Sequence, residues 1–195
     1  MAEKSGIAKR RDDVRKQYFA DEDLWTGEAE KGFFQAPRSL PLVLALLSTK
    51  AISENRDPSS VYLELFSRQR GEGVVEMVQE AEHAFAAGYS GSRAVRTWQE
   101  RMKILEDIGF IRTVNAGNQR YKYVALIHPT NVIQRLREKN MVDDSWWNAY
   151  LANKRETKEP SFEQRQEKKK ENVSPVAAPP PPPPPPPPWA TSNSK

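Results

Sequence analysis

Apolar residues along the chain fall into short clusters with distinct periods. Leu40, Leu42, Val43, Leu44, Leu46 and Leu47 are apolar nearly all round, with Ser39 ahead of them as a cap and Pro41 in the first turn. A helix greasy on every side is a central one. Asp57-Pro58 is a cap followed by proline at the first helical position, and Val61, Tyr62, Leu65 and Phe66 then repeat at i, i+1, i+4 and i+5. That spacing predicts a helix, with a strand through the same residues as the alternative. Gly71 and Gly73 break the chain. Val74, Val75, Val78, Ala81, Phe85 and Ala86 predict a further helix that ends near Gly88, a residue suited to a left-handed cap. The turn Tyr89-Ser90-Gly91-Ser92 leads into the next one. Ser92 is its expected N-cap, Gly109 its end, and Val95, Trp98, Met102, Leu105 and Ile108 its buried stripe.

After Gly109 the pattern changes to two β segments, residues 110–114 and 120–127, around Asn115-Ala116-Gly117-Asn118. Gly and Asn there supply the torsions of a hairpin turn. Thr130 or Asn131 can cap a helix carrying Val132, Ile133 and Leu136. Asp143, Asp144 or Ser145 can start another with Trp146, Trp147, Tyr150 and Leu151 along one side. Those three aromatics either close the core or provide a homodimer contact. The expected fold is mainly α with a small β-hairpin, spanning residues 37–153.

Both flanks differ in composition. Residues 1–36 form an arm, basic at Lys9, Arg10, Arg11, Arg15 and Lys16 and acidic further on, expected to be helical or disordered and to touch phosphates or simply be solvated. From residue 154 charges dominate, and ten consecutive prolines, Pro179 to Pro188, precede Trp189. Residues 154–195 are expected to be a disordered tail, too poor in apolar surface to offset ordering entropy. Within it the prolines would form a stiff polyproline II rod, with Trp189 as an anchor for a protein partner or as an incidental end to a spacer.

Composition mainly excludes. The 195 residues contain no cysteine, which removes disulfides, thiolate metal sites and a cysteine nucleophile. His83 and His128 stand far apart without carboxylate-rich ligand spacing, so no metal, cofactor or catalytic centre is expected. His83 itself is expected to be structural or exposed. The longest apolar run, Leu40 to Leu47, is too short to span a membrane, and the basic N-terminus lacks the apolar stretch of a signal peptide. A cytoplasmic protein, nucleoid-associated if it binds DNA, is the expectation. Gly71-Glu72-Gly73 begins like a dinucleotide fingerprint, but Glu76 replaces its third glycine. Asn172-Val173-Ser174 is a chance glycosylation sequon in such a chain.

The net charge of +4 matters through its distribution. Residues 71–89 hold Glu72, Glu76, Glu80 and Glu82 and no Lys or Arg. Residues 90–124 hold Arg93, Arg96, Arg101, Lys103, Arg112, Arg120 and Lys122 against three acids. The expected result is a polarised surface.

Helix, glycine-containing turn, helix and hairpin is the order of a winged helix-turn-helix. The run from Ser92-Arg93-Ala94-Val95-Arg96-Thr97-Trp98 to Leu105-Glu106-Asp107-Ile108-Gly109-Phe110-Ile111 resembles that superfamily's recognition helix and its exit into the wing. The resemblance covers residues 74–127, with Leu40–Leu47 as a candidate first helix, although the span from Ser92 to Gly109 is longer than the superfamily's spacing. It implies a DNA-binding protein of the bacterial regulator type, not an enzyme, acting in transcription or in plasmid replication or partition. The residues can also be read without the family. At 100° per residue, Val95, Met102 and Leu105 lie beside Trp98, while Arg93, Arg96, Glu100, Lys103 and Asp107 lie opposite and Thr97 and Gln99 flank them. The last part of that outer face is acidic and directed away from a phosphate backbone. With Ser92 and the wing residues Asn118, Gln119, Arg120 and Lys122, its cations and the flanking pair form the expected interface with double-stranded DNA. The alternative function is a winged-helix adaptor that binds proteins, recruiting one through its polyproline tail.

Overall fold

The chain divides into an N-terminal unit, residues 1–36, and a second unit, residues 37–195. The computed structural model describes residues 13–14, 16–18, 34–69, 73–117 and 119–171. In the first unit, residues 13–14 and 16–18 are helical. Most of the arm, Asn118, the polyproline run and Trp189 lie outside the described residues.

The second unit is mainly helical with one small antiparallel sheet. Helix α1, Leu40–Leu47, is central as its composition requires: Leu40, Val43, Leu46 and Leu47 are buried. A single turn, α2 (Lys50–Ser53), follows, and the sequence pattern does not announce it. Helix α3 is Ser59–Arg68, with Val61, Tyr62 and Leu65 buried, so the helix alternative holds over the strand. Its N-cap is Pro58 rather than Asp57, which puts the proline just ahead of the first helical position. Asp57 still accepts the Ser59 N–H at 2.8 Å, and Ser48 Oγ donates to the other carboxylate oxygen at 2.8 Å.

The next element corrects the sequence reading. Val74–Glu76 is strand β1, and the helix expected from Val74 begins only at Glu80: α4 is Glu80–Ala86. The β-branched pair Val74-Val75 favours the strand. It pairs antiparallel with β3, Val75 opposite Val124, and buries Val75 while Val74 and Glu76 face out. Val78 and Phe85, expected in the core, are 67% and 75% exposed.

Helix α4 ends as expected at Gly88, where φ is +91°. Gly88 N–H donates to the Phe85 carbonyl and Tyr89 N–H to that of Ala84, a Schellman closure that needs the left-handed torsion. Helix α5 is Ala94–Asp107, with Arg93 rather than Ser92 at the N-cap and no side-chain capping bond. A second Schellman closure, Gly109 to Glu106 and Phe110 to Leu105, ends α5 and buries Phe110. The chain then enters β2, Ile111–Ala116, and returns as β3, Gln119–Leu126. The sheet order is β1-β3-β2, so the expected two-stranded hairpin gains a third strand.

Helix α6, Pro129–Glu138, is capped by His128 rather than by Thr130 or Asn131: its Nδ1 accepts the Thr130 N–H at 3.2 Å. Proline at the first helical position places the cap one residue ahead of it. Helix α7, Asp144–Thr157, is capped as expected by Asp143, which accepts the N–H groups of Ser145 and Trp146. The boundary expected at residue 153 falls inside this helix, Lys154 is buried, and helix α8, Phe162–Glu171, follows. The start of the tail is thus misplaced. Amphipathic bookkeeping overlooks charged residues that order a segment through capping and hydrogen bonds rather than apolar burial.

Candidate nucleic-acid interface

Helix α5 is fixed by one face. Trp98, Met102 and Leu105 are fully buried, and Trp98 meets the edge of Tyr121 on β3 with ring centroids 5.5 Å apart. Phe110, just past the helix, packs edge-on against Tyr62 of α3 at 5.3 Å. These contacts set the helix against both the sheet and α3, and so dictate which residues face outward.

The outward face carries the expected cations. Ser92 and Arg93 are exposed in the entry turn. Arg96 is 84% exposed along its side chain, with an ion pair to Glu100 at 3.4 Å one turn on. Such exposed i,i+4 pairs hold weakly, about 0.3–0.5 kcal/mol, so Arg96 is available to a phosphate or base edge. Lys103 pairs with Asp107 at 2.8 Å, also on the surface. Thr97 is half-buried.

Two further expected contact residues are tied to other elements of the fold. Gln99 donates its amide to Glu80 of α4 at 2.6 Å, which ties the two helices together across the turn. Lys122 pairs with Glu76 of β1 at 2.8 Å, and that hydrogen bond raises its pKa. Glu76 of the acidic segment therefore neutralises Lys122 of the basic one. On the hairpin, Gln119 and Arg120 are exposed, with the Arg120 guanidinium 5.3 Å from the Tyr121 ring. Asn118 lies outside the described residues.

Sequence reasoning missed two arrangements. The first is a groove of about 370 Å³ between the end of α5, β2 and α6, where Arg112, Arg135 and Lys139 stand beside Glu106 and Asp107. Only Arg112 belongs to the basic run, and linear charge counting cannot bring α6 alongside. The second is buried. His83 of α4 lies 3.0 Å from the Glu64 carboxylate of α3, both nearly inaccessible, and Arg68 bonds the same Glu64 oxygen. The other Glu64 oxygen and the Trp98 indole N–H are buried without partners. The Glu64–His83 pair thus joins α3 to α4 behind α5.

Trp146 and Trp147, expected in the core or a dimer contact, are half-buried, and Tyr150 is buried. Trp146 donates its indole N–H to the Leu42 carbonyl at 3.2 Å and stacks on Tyr150 at 5.1 Å. Among the described residues no group of three or more His, Asp or Glu is placed to hold a metal, and no helix is long and apolar enough to cross a membrane. Compared with known proteins, the chain matches no family model, no curated protein and no solved structure.

Proposed function

We propose that this chain is a winged helix-turn-helix DNA-binding protein, a regulator of transcription or of replication or partition. One observation carries the reading. Trp98, Met102 and Leu105 bury one side of α5 completely, while Arg93 and Arg96 stand exposed on the other side of its first turns. The order α4, glycine turn, α5 and hairpin supports it, since that arrangement presents the second helix as a projecting edge. A major groove about 12 Å wide admits such a helix. Arg93 and Arg96 would meet base edges and phosphates there, with Ser92 beside them. Gln119 and Arg120 on the hairpin would contact adjacent backbone. Gln99 and Lys122 have intramolecular partners, and their proposed part is to hold α4 and β1 in position.

Selection of bound sequences from random duplex DNA tests the proposal. Enrichment of a defined site is the expected result, and a palindromic site would add a homodimer. Tyr150 is buried, so such a dimer would use the outer edges of Trp146 and Trp147 or another surface. No retention of any duplex would overturn the reading. The adaptor reading is favoured by a different observation: Phe85, Val78 and Val114 are 75%, 67% and 59% exposed. Protein binding at those residues would be nearly indifferent to salt, whereas phosphate binding falls steeply with it.

A further inference from the structure

A pocket of about 590 Å³ lies among α6, α7 and α8, remote in sequence from the α5 face. Its size is that of small-molecule sites, which run from about 300 to 1,000 Å³. Trp147, Leu151 and Phe162 give it apolar walls, and Lys154 is its buried cation. Lys154 is only 6% exposed. Its ammonium donates to Thr130 Oγ1 at 2.9 Å and lies 5.4 Å from the Tyr150 ring, and it forms no ion pair among the described residues.

A buried ammonium without a directly bonded counter-ion is unusual, because desolvation disfavours the charge. Two carboxylates do line the pocket, but both are committed to serines. Glu159 accepts the backbone N–H and hydroxyl of Ser39 at 2.9 and 2.6 Å, and Glu163 accepts the Ser161 hydroxyl at 2.7 Å. Arg155 and Lys158 add further positive charge to the lining. Burial lowers the Lys154 pKa, which an anion arriving beside it would offset.

We propose that this pocket binds a small organic monocarboxylate, its carboxylate on the Lys154 ammonium and its apolar body against Trp147, Leu151 and Phe162. The ligand supplies the direct ion pair that Glu159 and Glu163, held by serines, do not make, and the aromatic walls accept its ring or chain. The proposal does not depend on DNA binding, and its test involves no DNA.

The experiment is calorimetric titration of the full chain with phenylacetate and with phenylacetamide, the uncharged analogue of the same shape. Phenylacetate should bind saturably, and the amide roughly tenfold or more weakly, the worth of a charge-assisted hydrogen bond. Lys154→Met should erase that preference. Phe162→Ala, at the half-buried first residue of α8, should weaken both compounds by a similar factor and keep the preference. This second variant tests the site without touching the buried amine. Absence of saturable phenylacetate binding, equal affinity for acid and amide, or a Phe162→Ala variant that binds both like wild type would each overturn the proposal.

Discussion

At the residue scale, buried polar groups hold the elements in register. The Glu64–His83 pair lies where neither partner can reach bulk water; His83 bonds Glu64, which Arg68 also bonds from the surface. Glu64→Leu or His83→Leu alone should destabilise the domain by about 2–4 kcal/mol, because the remaining group is left buried and underbonded. The double replacement should cost clearly less than the sum, measured as a double-mutant cycle of chemical denaturation. Additive losses would show the pair to be uncoupled. His128 offers a pH test. Burial, reinforced by the positive charges of Arg165 and Lys154, holds its pKa at about 4 instead of 6.5. Between those values the unfolded chain binds a proton that the folded chain refuses. Stability is therefore fully present above pH ~6.5 and is lost as pH falls toward ~4. The ring is partly exposed, so solvent screening limits the loss to about 1–2 kcal/mol. His128→Asn retains a capping acceptor for the Thr130 N–H and should flatten that part of the stability–pH curve; an unchanged slope would assign it to other groups. Neither residue's role is legible in the sequence. His83 looks solitary there because Glu64 stands on another helix, and Thr130 or Asn131 looks like the better cap.

At the element scale, periodicity revealed most of what packs. The stripe Trp98, Met102 and Leu105 is buried as its spacing requires, and Gly88 and Gly109 end α4 and α5 through the left-handed closures that glycine permits. What misled was a short apolar run: Val74-Val75 fits either a helix or a strand over so few residues, and only β3 beside it decides. The two faces of α5 give a sharp contrast. Trp98→Ala should cost about 3–5 kcal/mol, since a fully buried indole leaves a cavity between the helix and Tyr121. Arg96→Ala should leave stability within about 0.5 kcal/mol, losing only an exposed ion pair to Glu100. Thermal melts of both variants check this. A folded Trp98→Ala of wild-type stability would mean that α5 is rotated from its assigned face.

At the scale of the whole second unit, the chain closes on itself where composition suggests it has ended. Glu159, beyond α7, accepts both the backbone N–H and the hydroxyl of Ser39 at the start of α1. A carboxylate at a helix N-terminus is favoured by the helix dipole as well as by its hydrogen bonds. Glu159→Ala should therefore lower stability by about 1–2 kcal/mol, whereas a wild-type denaturation midpoint would return residues beyond 153 to the role of a passive tail. A contact spanning so much sequence leaves no local signature, which is why charge-rich residues there read as tail. The same limit applies to the candidate interface. The exposed Arg93, Arg96 and Arg120 are legible from helix and hairpin phase, but the intramolecular partners of Gln99 and Lys122 are not. The central claim is that this exposed arginine set neutralises DNA phosphates. Its most direct test is the affinity of the full chain for one duplex across a salt series, beside an Arg93→Ala, Arg96→Ala, Arg120→Ala variant. The account predicts a steep linear fall of log affinity with log salt for the wild type, and a variant slope shallower by up to about one unit per arginine that contacts a phosphate. Wild-type binding indifferent to salt, or an unaltered slope in the triple variant, would contradict it.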